Sequence, residues 1–311
     1  MPSGPKAIVS VTGGKGGTGK SFVATNLAVL LSERISNGLV LADLDVEAPN
    51  DHILLGVGDP LNVIEIEIFF PKIDYKKCTS CGACVKACDT GAIIMAQGRP
   101  PFVFPRLCSG CMACYYVCPE KAIARDGKRV LGYIRTYRVE RNGKSFMLVS
   151  GTIREGEEHT PPAIVATKRH AMNMSRGLLL VDTGAGTGNG ISAAIQYSDL
   201  VIAVTEPTPL GLHDLESILK IVSGMGYRSW VVINRHGIGP EEEHVELAKQ
   251  YGVERIYRIP YSPIVPRAYS RGMPIVEYAP DDPASKALEE LARDLAVELE
   301  GKLGVAGVVG A

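Results

Sequence analysis

Residues 13–21 read GGKGGTGKS, and no other stretch of the chain restricts its fold so tightly. An apolar, strand-like run at residues 7–11 precedes it, and a helix-forming run at residues 22–35 follows. Strand, glycine loop, helix is the context in which G-x4-G-K-S becomes a phosphate-binding device. Gly14, Gly16, Gly17 and Gly19 let backbone N–H groups turn inward around phosphate oxygens, with Thr18 in the same turn. Lys20 can reach the terminal phosphates. Ser21 can offer its hydroxyl to a magnesium ion at the helix N-terminus, where the dipole favours anions. A glycine-rich turn with no ligand would need neither Lys-Ser in register nor these flanks.

Further apolar runs at residues 39–42, 178–181, 200–205, 230–233 and 256–259 read as buried parallel strands. Helix-like stretches alternate with them, among them 163–174, the segment reaching 225, and an amphipathic run at 283–302. The expected fold class is α/β, a doubly wound, mostly parallel sheet. Asp43 and Asp45 follow the second strand and Asp182 follows residues 178–181, at the carboxyl edge where open α/β sheets bind ligands. Carboxylates beside a phosphate loop suit phosphoryl transfer, which needs positioning and charge neutralisation. Taken alone, such aspartates also suit solvated turns or helix caps.

All eight cysteines fall between residues 78 and 118. Cys78, Cys81, Cys84 and Cys88 spell C-x2-C-x2-C-x3-C. Cys108, Cys111, Cys114 and Cys118 repeat it at an offset of 30 residues, an internal duplication. The spacing resembles that of bacterial two-cluster ferredoxins, in which the fourth cysteine of each run binds the other cluster. The resemblance implies one [4Fe–4S] cluster on Cys78, Cys81, Cys84 and Cys118. A second would lie on Cys88, Cys108, Cys111 and Cys114. Two zinc knuckles are the alternative, but duplicated cysteine triplets fit iron–sulfur better. Asp89 stands where the second run has Pro119, which leaves the ligands intact. Residues 71–129 hold ten Lys plus Arg and four Asp plus Glu, a basic excess that offsets anionic clusters. The expected division is a first core part at 1–70, an inserted ferredoxin-type α+β module at 71–130, and a second core part at 131–311. Asn142-Gly143 within alternating residues 133–153 marks a β-hairpin returning to the core. Arg154 and His159 read as solvated loop residues, or as contacts between the parts.

The run KGGTGKS carries a second lysine, Lys15, and resembles the deviant Walker A of the MinD/ParA/Mrp ATPases. The resemblance extends through ADLDVEAPN (switch I) and DTGAGTGNG (Walker B and switch II) and covers nearly the whole chain. It implies that Lys15 crosses to the nucleotide of a partner subunit, making ATP the glue of a homodimer. It implies that Asp43 and Asp182 act through the magnesium shell and that Asp45 orients the attacking water. It places Asn234 and Pro260 beside the adenine, although both also read as strand-end turn residues. The expected cofactors are ATP, Mg2+ and two [4Fe–4S] clusters.

Composition adds exclusions. The net charge of −1 over 311 residues offers no strong field to nucleic acid or membrane. No apolar run reaches bilayer length. Residues 1–6 are too short and polar for a signal peptide. The tail at 304–311 lacks a basic amphipathic helix. Clustered cysteines without an export signal point to a reducing, cytoplasmic setting. Two functions compete. One is ATP-gated electron transfer to a redox partner. The other is ATP-dependent assembly or delivery of clusters to an apo-acceptor. No cysteine outside the 78–118 stretch is present to hold a cluster between subunits, so either function runs through the duplicated motif.

Overall fold

The computed structural model describes residues 4–35, 38–186 and 188–303. The tail at 304–311, the start of the 1–6 stretch and Thr187 of the glycine loop lie outside the described residues. In chain order the strands are β1 (Ala7–Thr12), β2 (Val40–Leu44), β3 (Asn62–Phe69), β4 (Lys72–Ile73), β5 (Ile93–Ile94), β6 (Phe102–Val103), β7 (Ile123–Ala124), β8 (Lys128–Arg141), β9 (Lys144–Ile153), β10 (Leu178–Thr183), β11 (Leu200–Thr205), β12 (Ser229–His236) and β13 (Arg255–Pro260). The α-helices are α1 (Lys20–Arg34), α2 (Asp51–Leu54), α3 (Ala83–Lys86), α4 (Ala113–Tyr116), α5 (Thr160–Met174), α6 (Asn189–Ile195), α7 (Pro209–Gly224), α8 (Glu242–Gln250), α9 (Val265–Tyr269), α10 (Ile275–Tyr278) and α11 (Pro283–Leu303).

Nine of these strands form one sheet in the order β13-β12-β11-β1-β10-β2-β9-β8-β3. From β13 to β9 every pairing is parallel; β8 and β3 extend the edge antiparallel. Both faces are covered, because successive side chains of a strand point to opposite sides. Val9 and Val11 of β1 and Leu178 and Leu180 of β10 pack with α1 and α11. Ile8, Leu179 and Val181 pack on the other face with α5. The helices α6, α7 and α8 cover that second face farther along, over β11 and β12. This arrangement explains the continuous apolar runs in the sequence, since each strand is buried on both sides.

The β8–β9 hairpin turns at Asn142-Gly143, both at positive φ (50° and 73°), as the alternating pattern there predicts. The strand β3 was not anticipated. It alternates Ile64, Ile66 and Ile68 with glutamates, but all except Ile66 stay at least partly exposed, so no buried run marks it. The helix expected at 163–174 starts earlier: residues 161 and 162 sit in the first turn of α5, where a proline costs no hydrogen bond.

Residues 70–127 run between β3 and β8. Here the duplication is visible in three dimensions. The helices α3 and α4 are offset by 30 residues, as are β4 and β6, and β5 and β7. Left-handed φ recurs at the same offset in Ser80 and Gly110, Gly82 and Met112, and Gly91 and Lys121. Yet β4 pairs with β7 and β5 with β6, so each two-stranded sheet takes one strand from each repeat. The repeats are intertwined, and their shared core is little more than Ile93, Val103, Ile123 and cysteine sulfurs.

Candidate functional site

The phosphate loop joins β1 to α1, whose first turn carries Lys20 and Ser21. Gly19 takes φ 101°, and a Cβ there would fall 2.2 Å from Asn234 Nδ2. Glycine alone satisfies both demands. The Asn234 amide donates to the Thr18 carbonyl at 2.8 Å, stitching β12 to the loop. Gly14 packs on α7 so closely that a Cβ would lie 2.3 Å from Asp214 Cβ. Gly16 and Gly17 have open space instead, and they face a cleft of about 810 Å3. That volume is typical of small-molecule sites. Gly19, Lys20, Ser21 and Asp45 border the cleft from the loop side, and Asn234 and Pro260 border it from the ends of β12 and β13.

The two loop lysines differ. Lys20 is 6% exposed and donates to the Lys15 carbonyl at 2.7 Å. Burial lowers its pKa, opposed by the charges of Asp182, Asp45 and Asp214. Lys15 does not border the cleft. Its Nζ stands 3.5 Å from Glu206 Oε1, while Glu206 Oε2 accepts from Arg235 at 2.7 Å. Arg235 also reaches the Gly17 carbonyl at 3.0 Å. Neither Glu206 nor Arg235 belongs to a sequence motif that would single it out.

Beneath the loop lie three buried carboxylates. Oxygens of Asp43, Asp51 and Asp182 come within 4.8 Å of one another. Asp43 is engaged: it accepts from the backbone N–H groups of Asp45, Asn50 and Asp51 and from the Ser150 hydroxyl. Asp51 and Asp182 are 0% exposed, and none of their four oxygens has a hydrogen-bond partner. Burial, then mutual repulsion, holds Asp43 and Asp51 well above the usual carboxylate range. Burial pushes Asp182 up to about 7 against the nearby Ser21 hydroxyl and Lys20. Burial, with the Asp51 and Asp182 charges, raises Tyr269 as well, and its buried hydroxyl is also without a partner. Oxygen donors with unmet bonding capacity suit a hard divalent cation. Asp45 is half-buried at the cleft, with Oδ1 accepting from the Ala48 N–H at 3.2 Å. Asp51 was missed in the sequence because an acid opening a helix ordinarily reads as a dipole partner.

The cysteines assemble as two groups. Cys78, Cys81, Cys84 and Cys118 line one small cavity. Cys108 is close enough to feel Cys111 and Cys88, and Cys114 to feel Cys108 and Cys111. All eight are free thiols, with Cys81 and Cys111 exposed. Burial pushes Cys114 up to about 11 and raises Cys84 and Cys108, so metal binding must expel their protons. Among the described residues no three sulfurs lie within 4.8 Å of one another. Four thiolates around one zinc would sit about 3.8 Å apart at its usual bond length. This wider spread is compatible with a larger polynuclear centre. The Ala122 N–H points to Cys118 Sγ at 3.3 Å, the kind of donor that tunes such a centre.

This cysteine-rich segment is tied to the sheet by polar contacts. His159 meets the Leu107 carbonyl at 3.0 Å, one of the two candidate contacts between the parts. The stronger tie was not legible in the sequence. Arg129 forms a two-pronged, nearly buried pair with Glu157 and donates to the Cys108 carbonyl at 3.1 Å.

Among the described residues no helix is long and apolar enough to cross a membrane. The family model of the CobQ/CobB/MinD/ParA nucleotide binding domain matches residues 9–275. An uncharacterized protein of Methanocaldococcus jannaschii is 32% identical over 271 residues, 87% of this chain and 92% of that one. An iron–sulfur cluster carrier protein of Pyrococcus abyssi is 26% identical over 314 residues, 96% of this chain and 88% of its own. The fold is similar to that of the septum site-determining protein MinD of Pyrococcus horikoshii, solved with Mg-ADP, at a TM-score of 0.58 and 20% identity over 95% of this chain and 98% of that one. With the phosphate loop built as its sequence requires and the family model spanning most of the chain, this protein belongs to the CobQ/CobB/MinD/ParA family and is a P-loop ATPase of the MinD/ParA type.

Proposed function

We propose that this ATPase binds Mg2+–ATP in the cleft beside residues 13–21 and couples its hydrolysis to electron transfer through two [4Fe–4S] clusters in the segment 70–127. The observation that carries the redox half is the intertwining of the repeats. Each cluster would take its fourth cysteine from the opposite repeat: Cys118 for Cys78, Cys81 and Cys84, and Cys88 for Cys108, Cys111 and Cys114. The two sheets also draw a strand from each repeat. Removing either cluster would loosen both halves of a segment with little apolar core, so the centres serve as permanent carriers of electrons.

In the nucleotide half, backbone N–H groups of Gly16, Gly17 and Gly19 bind phosphate, and Lys20 swings from the Lys15 carbonyl to the terminal phosphates. Asp45 orients the attacking water. Ser21, Asp43 and Asp182 fit Mg2+, which neutralises phosphate charge when bound. Lys15 leaves Glu206 to meet the nucleotide of a second copy of the chain, and Asn234 and Pro260 flank the base. The helix α5 starts beside the Arg129–Glu157 tie and packs on α6, which follows the Asp182 loop, so one element borders both halves.

The test is an anaerobic redox titration of the loaded protein followed by EPR, with and without ATP and a non-hydrolysable analogue. ATP should shift the cluster potentials or the rate of electron delivery to a dye acceptor. Unchanged potentials and rates would overturn the redox reading. A second reading, cluster delivery to an apo-acceptor, is favoured by relatives named iron–sulfur cluster carrier proteins and by exposed Cys81 and Cys111. Iron that stays with this chain when it is mixed with an apo-ferredoxin and ATP would set that reading aside.

A further inference from the structure

Asp51 opens α2, directly after the loop that carries Asp43 and Asp45. An acid there ordinarily faces water or caps free N–H groups. Asp51 does neither. It is 0% exposed, neither of its oxygens has a hydrogen-bond partner, and one of them lies within 4.8 Å of oxygens of Asp43 and Asp182. Burying an ionised carboxylate without a partner is costly, and three together compound the cost by repulsion. Lys20 supplies one positive charge beside them. A divalent cation would offset the repulsion that one lysine leaves among the carboxylates.

A second observation is independent of the acids. The Tyr269 hydroxyl is sealed from solvent beside Asp51 and Asp182, and it too has no partner. A tyrosine hydroxyl normally finds a partner when buried. Four carboxylate oxygens without partners therefore come from two separate segments, α2 and the end of β10, with the partnerless Tyr269 hydroxyl of α9 near enough to feel both charges. Magnesium keeps several waters in its shell, and such waters would meet groups like these.

We propose that Asp51 is a further carboxylate of the Mg2+ site beneath the phosphate loop and raises its affinity for the ion. The inference rests on the placement of Mg2+ at Ser21, Asp43 and Asp182 given above. Asp51 binds through its charge rather than through nucleotide, so metal affinity is the property it sets.

The experiment is a titration of MgCl2, and separately of MnCl2, into the anaerobically prepared full chain holding ADP, read by thermal unfolding and, for Mn2+, by loss of its free EPR signal. Asp51→Asn should move the Mg2+ midpoint upward by about tenfold or more, the scale seen when groups supporting a metal site are removed. It should also raise the unfolding temperature of the metal-free protein, because a repelling charge has gone. Asp51→Glu, which keeps the charge, should restore the midpoint to within about threefold of the parent. An unchanged midpoint in Asp51→Asn overturns the inference whatever the unfolding temperature does. Asp182→Asn separates the two levels: if its midpoint moves and that of Asp51→Asn does not, only the role of Asp51 fails. If neither moves, the magnesium site itself is misplaced.

Discussion

Lys15 Nζ lies 3.5 Å from Glu206 Oε1, so the lysine that would serve a partner's nucleotide is held within its own chain. The pair is partly exposed, 33% and 10% at the side chains, and such contacts contribute little more than about 1 kcal/mol. That is weak enough to break when a phosphate offers a better anion. Glu206→Gln should promote dimerisation with a non-hydrolysable ATP analogue by about threefold, by removing the competitor. Lys15→Ala should weaken the same dimer by about tenfold or more. Sedimentation equilibrium measures both, and a Lys15→Ala protein that dimerises like the parent would remove the trans role.

The proposed turnover rests on different groups. Lys20→Ala should lower phosphate release by at least about a hundredfold, since it removes the cation beside the transferred group. Asp45→Ala should still bind ATP in calorimetry but leave it uncleaved. A normal rate in the Asp45 variant would show that the water is oriented by another group.

In the proposed ligation the fourth cysteine crosses between the repeats, and that crossing is measurable. Cys118→Ser and Cys88→Ser should each reduce bound iron from about eight to about four atoms per chain, leaving one EPR signal of two. The surviving signal should be that of the cluster nearer residues 108–114 in the first variant and nearer residues 78–84 in the second. Chelation of all iron should unfold the segment, visible as new proteolysis between β3 and β8, because its apolar core is so small.

The Arg129–Glu157 pair is nearly buried, at 12% and 9% side-chain exposure. Glu157→Ala should cost about 3–5 kcal/mol by leaving the guanidinium without its partner. Arg129→Met with Glu157→Ala should cost less than the two single changes together, because no unpaired charge remains. Denaturant unfolding of the four proteins closes the cycle.

Lys168 gives a pH signature. It is 4% exposed, donates to the carbonyls of Ala194 and Gln196 at the end of α6, and burial pushes its pKa down to about 7. Above about pH 7 the native chain binds fewer protons here than the unfolded chain. Stability therefore rises with pH until about pH 10, by up to about 1.4 kcal/mol per unit from this group. Lys168→Met should lack that rise, so the stability difference between parent and variant should shift steadily across urea unfolding curves at pH 7, 8.5 and 10.

The sequence determined what depends on neighbours along the chain. Double-sided burial leaves unbroken apolar runs, so β1, β10 and β11 were legible nearly to the residue. The phosphate loop was legible because its glycines and Lys-Ser pair act within nine positions. The cysteine repeat was legible because ligation imposes spacing. What the tertiary structure decided depends on residues far apart meeting in a place that water cannot reach. The inward turn of Asp51, the Asn234 amide on the Thr18 carbonyl across 216 positions, and the Arg129–Glu157 tie all gain their character from burial. The exchange of strands between repeats has the same origin, since offsets of 30 residues fit either pairing and only packing selects one. Local spacing says which groups a chain carries; desolvation, set by the whole fold, says which of them must find a partner.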